Sequence, residues 1–431
     1  MKTTQDRHFL FLQGPHGPFW ARLGAALLQT GARVCRIGFN AGDEAFWPRN
    51  SSYIPYTDTL DKWQDKLATV IRENAITDLV IYGDIRPVHA AAVAKANDLG
   101  VTVHVFEEGY IRPYWVSYER GGSNGNSRLM QIDVETMSRV LGRSDQDLAT
   151  PPAHWGDMRQ HVFYGAFYHW HVLFRNGRYR NFTRHRKHHL RSEALAYTKQ
   201  LLLLPWIAIE RRIATRRLLR SGAPYHVALL QLEHDASFLA HAPFARMEDF
   251  FQKVLDGFAQ GAPAHHHLVF KAHPLEPGYK PYRRIITDMA RVRGLQDRVH
   301  YLRGSKLAIL LDNARSAVTV NSTAAMQVLW RNLPLKVFGR SVYAKPELVS
   351  DQPLDMFFAA PNPPQHDACV DFRRYLLETS QVPGGFYSAR GRRQLLREVV
   401  DMMLLEDDPY TARERTLRPV QNGLRLVVNR D

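Results

Sequence analysis

Cysteine is almost absent: Cys35 and Cys369 are the only two in 431 residues. They lie far apart in no metal-like spacing, which argues against a disulfide framework or a cysteine zinc site and fits a reducing compartment. No apolar run approaches the roughly 20 residues that span a bilayer. The stretch before Gly14-Pro15 is too short for the apolar part of a secretory signal, so a cytoplasmic protein is expected. Neither G-x-G-x-x-G nor G-x-x-x-x-G-K-[ST] stands at a strand-to-helix junction, which disfavours dinucleotide and P-loop chemistry. No Asp-x-Asp pair lies at a strand end, and no metal is expected. Acid is scarce in one region. Between Arg159 and Arg220 there are 14 Lys/Arg against Glu193 and Glu210 alone, so this segment carries +12 of the net +15.

What is present is the composition of a globular protein, 45% hydrophobic and 23% charged, in a chain too long for one ordinary core. Strand and helix signals alternate over the first ~110 residues. HFLFLQG, ARVCRIGF, TDLVIYG and VTVHVFEEGY read as strands, and PFWARLGAALLQTG, TLDKWQDKLATVIRENA and VHAAAVAKANDLG as helices. A largely helical stretch follows to about residue 222. A second series then begins: strands YHVALLQL, HHLVFKAH, RVHYLRG, SAVTVNS and PLKVFGR, with helices between them, among them TAAMQVLWRNL (323–333). This pattern predicts an α/β protein with two Rossmann-like domains and a helical middle segment. The expected boundaries are 1–222, 223–385, and a helix in 386–431 that returns to the first domain. Such a chain places its substrate in the crevice between its halves.

Several strand ends carry polar residues that a plain core does not need. Gln13-Gly14-Pro15-His16-Gly17 is a glycine turn that opens a helix. FEEGYIRP supplies Glu107, Glu108, Gly109 and Arg112. Adjacent strand residues face opposite ways, so one of the two acids is expected in the cleft, and Glu108, beside a flexible Gly109, is favoured. QLEHD supplies Gln231 and Asp235, and KAHP supplies Lys271 and His273, the latter fixed on the strand rim by Pro274. Asn321-Ser322-Thr323 closes a strand before a helix. Those residues are ordinary N-caps, and equally an anion site built on a helix start. His273 is either a satisfied core histidine or a donor to a phosphate. Paired carboxylates can divide the work of glycosyl transfer as nucleophile and acid/base.

The ordered set QGPHGPFW, FEEGYIRPYW, QLEHD, KAHPLE and NSTAA resembles the capsular polysaccharide synthesis proteins of the KpsS/LipB type, from Gln13 to about Arg340. The resemblance implies a GT-B-type fold and a retaining β-Kdo transferase that moves Kdo from CMP-β-Kdo to a phosphatidylglycerol-type lipid. Asp235 is then the nucleophile and Glu108 the acid of the first half. His273, Lys271, Gln231, Asn321, Ser322, Thr323 and Gly14 serve the donor, while Glu107, Gly109 and Arg112 line the acceptor side. CMP-Kdo is a substrate, and no cofactor is implied. One departure stands out: Ala324-Ala325 follow the Ser/Thr motif where a glycine is usual.

The basic-aromatic segment reads as a nucleic-acid surface, an anionic membrane surface or a solvated helical face. With no nucleic-acid motif in the chain and a lipid acceptor implied, peripheral attachment to the inner face of the cytoplasmic membrane is expected. Arg184, Arg186 and Lys187 would contact lipid, and Trp170, Phe174, Tyr179 and Phe182 would sit at headgroup level. Other capsule synthesis proteins are implied partners. A non-catalytic assembly or export component with the same fold is the competing reading.

Overall fold

The computed structural model describes residues 4–49, 52–142, 156–182 and 206–416, apart from 234, 275, 277–279, 305 and the side chains of 236 and 416. The chain divides into two compact units, Met1–His185 with Arg373–Asp431, and Arg186–Phe372. These lines fall at other places than the 222/223 and 385/386 read from the strand and helix pattern.

The first unit opens with β1 (His8–Phe11), β2 (Arg33–Gly38), β3 (Ser52–Pro55), β4 (Asp78–Tyr82), β5 (Thr102–Glu108) and β6 (Trp115–Arg120). The second holds β7 (Tyr225–Leu229), β8 (His267–Lys271), β9 (Val299–Leu302), β10 (Ser316–Thr319) and β11 (Leu335–Val337). The chain then returns to the first unit with β12 (Gln381–Pro383). The first sheet runs β12-β6-β5-β4-β1-β2-β3 and the second β11-β10-β7-β8-β9. The five strands from β5 to β3 are parallel, as is the whole second sheet. The βα rhythm predicted a purely parallel first sheet. Instead β6 lies antiparallel to β5, and β12 antiparallel to β6.

Both faces of the first sheet are covered, because alternate residues of each strand point to opposite sides. Phe9 and Phe11 join Val80, Phe106 and Tyr118 on one side. There the helices Phe19–Gln29 and Ala389–Leu404 supply Trp20, Leu23, Leu27, Leu395, Val399 and Met403. Leu10 and Leu12 turn the other way, against Trp63, Leu67 and Ile71 of the helix Trp63–Glu73 and Ala92 and Ala96 of the helix Pro87–Asp98. In the second unit Ala228, Phe270 and Val318 pack under Phe250, Phe251, Val254 and Phe258 of the helix Met247–Gly261. Burying such a side chain is worth about 1.5–3 kcal/mol. These layers hold the strand ends, and hence the polar residues on them, at fixed heights.

Among the described residues no helix is long and apolar enough to cross a membrane.

Candidate functional site

The order of strands locates the ligand-binding edge of each sheet. In the second unit the chain proceeds from β7 to β8 and β9 on one side, then returns to place β10 and β11 on the other. The crossovers therefore diverge between β7 and β10, and the gap they leave beyond the carboxyl ends is the topological switch point where open α/β sheets bind ligands. Gln231 and Asp235 follow β7, and Asn321, Ser322 and Thr323 follow β10. His273 follows β8, the neighbour of β7.

Register aligns them further. Leu229 stands level with Thr319 on one side and Lys271 on the other. Two residues further along the chain come Gln231, Asn321 and His273, each just past the carboxyl end of one of three adjacent strands. Gln231 and Asn321 hold each other: Gln231 Nε2 donates to Asn321 Oδ1 at 2.7 Å, and the Asn321 backbone N–H donates to Gln231 Oε1 at 2.9 Å. Asn321 Nδ2 donates in turn to the Ser237 carbonyl at 3.0 Å. Ser322 Oγ accepts from the Ala324 N–H at 3.2 Å, and the Ser322 carbonyl accepts from Tyr343 Oη at 2.7 Å. Asp235 caps the short helix Ala236–His241, its Oδ1 accepting from the Ser237 N–H at 3.1 Å. His273, Asp235 and Thr323 are half-buried on this rim. Lys271 is buried, and burial, with Arg211 adding to it, pushes its ammonium down to about 8. Its Nζ donates to the Ala272 carbonyl at 2.8 Å.

One expectation here is corrected. The helix over 323–333 is instead a 3-10 turn, Thr323–Ala325, followed by the four-residue helix Met326–Leu329. The Ser322-Thr323 corner is an oriented turn with hydroxyls and has no long helix dipole behind it.

The switch point of the first sheet lies between β1 and β4, since β2 and β3 follow on one side and β4 and β5 on the other. A cavity of about 160 Å³ opens there, lined by Gln13 after β1, Phe39 after β2, Tyr56 after β3, and Arg86 and Pro87 after β4. Asp58, Asn181 and Phe182 complete its polar and aromatic walls. Sequence reasoning passed over Arg86, which gave no signal beyond preceding a helix; its guanidinium stacks 5.3 Å over the Tyr82 ring. Beside this cavity, Tyr168 is held by Asn40 Nδ2 at 2.8 Å and donates to Asp43 Oδ1 at 3.2 Å, where Arg36 also bonds at 3.2 Å. Burial lifts the Asp43 carboxyl above its ordinary range, with Arg36 offsetting part of that. The only hint of this cluster in the sequence was Asn40 three residues before Asp43, an N-cap spacing.

The acids of β5 sit one strand from that switch point and are half-buried. Glu108 Oε1 accepts from Tyr82 Oη at 3.3 Å, while Glu107 Oε1 accepts from the Glu108 N–H at 3.2 Å. Gly109 is not flexible. It is buried and paired to the Trp115 carbonyl at 3.0 Å, and a Cβ there would lie 2.4 Å from that oxygen. Arg112 is exposed, with Nε on the Gly109 carbonyl at 3.2 Å. Gly14 serves packing: a Cβ would fall 2.2 Å from Trp20 Nε1, inside the indole that hydrogen-bonds Leu12.

Of the residues expected at lipid headgroups, Trp170 and Phe174 are exposed. Tyr179 is buried, with its hydroxyl on Glu44 Oε2 at 2.8 Å and 2.9 Å from Tyr53 Oη, and Phe182 is half-buried in the cavity wall. Arg184, Arg186 and Lys187 lie outside the described residues. A larger cavity of about 890 Å³ lies against edge strand β9 and the helix 206–220, two strands from the second switch point.

Two doubly wound α/β units, each gathering polar side chains at its own switch point, define the two-Rossmann class to which GT-B glycosyltransferases belong. The chain belongs to the capsule polysaccharide biosynthesis protein family, whose profile matches residues 77–387. It is 31% identical over 393 residues to the capsule polysaccharide modification protein LipB of Neisseria meningitidis serogroup B, covering 88% of this chain and 92% of that one. It is 29% identical over 392 residues to the capsule polysaccharide export protein KpsS of Escherichia coli, covering 88% and 97%. Among solved structures, Thermosulfurimonas dismutans KpsC, a beta Kdo 2,7 transferase, matches with 13% identity and a TM-score of 0.45, over 92% of this chain and 100% of that one.

Proposed function

We propose that the chain is a glycosyltransferase that moves Kdo from CMP-β-Kdo to a phosphatidylglycerol-type lipid with retention, acting at the inner face of the cytoplasmic membrane alongside other capsule synthesis proteins. Family membership supports the capsule context, and the motif set that resembles the KpsS/LipB type supports the substrates. The observation that carries the reading is that Asn321, Gln231 and His273 stand just past the carboxyl ends of three adjacent strands at the second switch point, with Ser322, Thr323 and Asp235 in the same loops.

In this reading His273 and the hydroxyls of Ser322 and Thr323 hold the CMP phosphate, and Lys271 adds charge from below. Fixed donors of this kind stabilise a departing monophosphate without a metal. Asp235 attacks the anomeric carbon as the bond to the phosphate oxygen breaks, and CMP leaves with that electron pair. The acceptor hydroxyl then displaces the carboxylate while its proton passes to a base, for which Glu108 is the candidate. Two displacements give retention. The cavity beside Arg86, with one cation, one carboxylate, two amides and aromatic walls, suits the hydroxyls of the acceptor's polyol head.

Incubation with CMP-Kdo and a fluorescent phosphatidylglycerol analogue tests this by mass spectrometry. The expected result is a gain of one Kdo that disappears in Asp235→Ala while CMP binding persists. The word export in the name of the KpsS relative favours a second reading, a non-catalytic assembly component. Unchanged capsule assembly in cells carrying Asp235→Ala, with no transfer in vitro, would establish that reading instead.

A further inference from the structure

The helix Met158–Phe174 carries apolar or aromatic residues all round, interrupted by Arg159, Gln160 and three histidines, a pattern that in a soluble protein marks a largely buried helix. Only one side of it is buried. Tyr168 enters the Asn40–Asp43 cluster, against Gly42, where any Cβ would lie 2.6 Å from the ring. Tyr164 packs on Gly17 and under the Arg392 guanidinium, 5.2 Å from its ring centre. The opposite side is open. Val162, Phe163, Trp170, Leu173 and Phe174 are 59%, 61%, 45%, 45% and 66% exposed, and Phe167 is 38% exposed. Their spacing lays them along one broad stripe of a helix about 25 Å long.

This stripe is organised. Phe163 and Phe167 stack at 6.1 Å, Trp170 meets Phe174 at 5.8 Å, and Arg175 lies 5.2 Å over the Trp170 ring. A contiguous exposed patch of this kind marks an interaction surface. Its charge says which. No Asp or Glu occurs from residue 158 to residue 192, and Arg159, Arg175, Arg178 and Arg180 are exposed at the two ends of the helix. An exposed stripe of aromatic and aliphatic residues with arginines at its ends suits a helix lying in the plane of an anionic bilayer, its stripe sunk about 5–10 Å into it.

We infer that the outer face of Met158–Phe174 is a membrane-docking surface that beds into an anionic lipid bilayer. The inference deepens the proposed peripheral placement and rests on it. The aromatic residues enter the headgroup–acyl boundary, the arginines meet lipid phosphates, and Tyr164 and Tyr168 tie the embedded helix to the first unit.

Sedimentation of the full chain with vesicles, without CMP-Kdo, tests it. Binding is expected to vesicles containing 30% phosphatidylglycerol and to be at least 100-fold weaker to pure phosphatidylcholine. Arg159→Ala/Arg175→Ala/Arg180→Ala should weaken it about 100-fold, at about fivefold per arginine. Phe163→Ser/Trp170→Ser/Phe174→Ser should do at least as much, with unchanged circular dichroism. A fluorophore on Phe163→Cys, specific because Cys35 and Cys369 are buried, should shift to the blue on anionic vesicles. Equal binding of either variant and wild type, or of both vesicle types, would overturn the inference, as would an unshifted fluorophore. Transfer of Kdo to water-soluble glycerophosphoglycerol provides the separate check. Serine-variant transfer equal to wild type would leave the transferase reading intact whatever the vesicles show, and absence of transfer in both would count against that reading alone.

Discussion

Asn321→Ala removes two hydrogen bonds at once from the rim of the second sheet: the one from Gln231 Nε2 at 2.7 Å and the one to the Ser237 carbonyl at 3.0 Å. Asn321 and Gln231 are each 4% exposed, so water cannot readily replace the lost partners. Each orphaned buried group costs about 1–3 kcal/mol, and the two together about 3 kcal/mol. Gln231→Ala orphans a different pair, Asn321 Oδ1 and the Asn321 N–H, at similar cost. The double variant orphans two groups, the N–H of residue 321 and the Ser237 carbonyl, where strict additivity would charge for four. It should therefore be less damaging than the sum by about 3 kcal/mol. Two units make a single global unfolding energy ill-defined, so the assay must be local. Hydrogen exchange in peptides covering β7 and β10 reads the opening of this region alone. Protection should fall on the order of 100-fold in either single variant, and little further in the double. Unchanged protection in Asn321→Ala, or additive losses, would show that the reciprocal amides do not hold the two strand ends together.

Other parts of the fold give further tests. Burial raises the Glu119 carboxyl to about 7, with hydrogen bonds from Ser127, Tyr110 and Tyr410 offsetting part. The folded value exceeds the ordinary 4.5, so this group favours folding at low pH and that contribution is lost as pH rises through 7, by about 3 kcal/mol in all. Glu119→Gln should remove the loss, and its melting temperature relative to wild type should be higher at pH 8 than at pH 5; a pH-independent difference would contradict the assignment. His273→Ala should slow transfer about 10²–10³-fold in kcat if the imidazole supports the departing phosphate as an oxyanion-hole donor does, and a change confined to KM would refute that role. Gly14→Ala should destabilise the first unit by about 1–3 kcal/mol by pressing on Trp20, with Trp20→Phe relieving part of it in thermal melts.

The parallel strands were legible because each is a short apolar run between helix patterns with glycine stops. The antiparallel strands β6 and β12 were not, since the reading depended on helices alternating with strands and no such unit announces an antiparallel edge; β3, parallel to β2, escaped because its four residues SYIP form too short an apolar run. β12, only three residues long and ending in Pro383, gains its identity from Trp115–Ser117 across the ladder, far away in sequence. Of the site, the polar strand ends could be read, but their neighbours could not. Gln231 and Asn321 are 90 residues apart, and nothing in either segment says that one amide will saturate the other. Tyr179 was misplaced for a similar reason. An aromatic among arginines suits a membrane until its hydroxyl finds Glu44 and Tyr53.

The strand order also redistributes the work among the candidates. At the second switch point the Gln231 and Asn321 amides are committed to each other and to Ser237, so their contribution is to fix where Ser322 and Thr323 begin. The proposed ligand contacts are then the two hydroxyls, the His273 imidazole after the neighbouring strand, and the Asp235 carboxylate, one of whose oxygens caps a helix. A cap carboxylate is held in one rotamer by its N–H partner, and a nucleophile benefits from that same constraint. The capping bond and the proposed attack are therefore compatible uses of one side chain. Asp235→Asn separates them: it keeps a cap acceptor toward Ser237 while removing the nucleophilic charge. Preserved folding with abolished transfer is the outcome that assigns Asp235 to chemistry, whereas preserved transfer would leave it a cap.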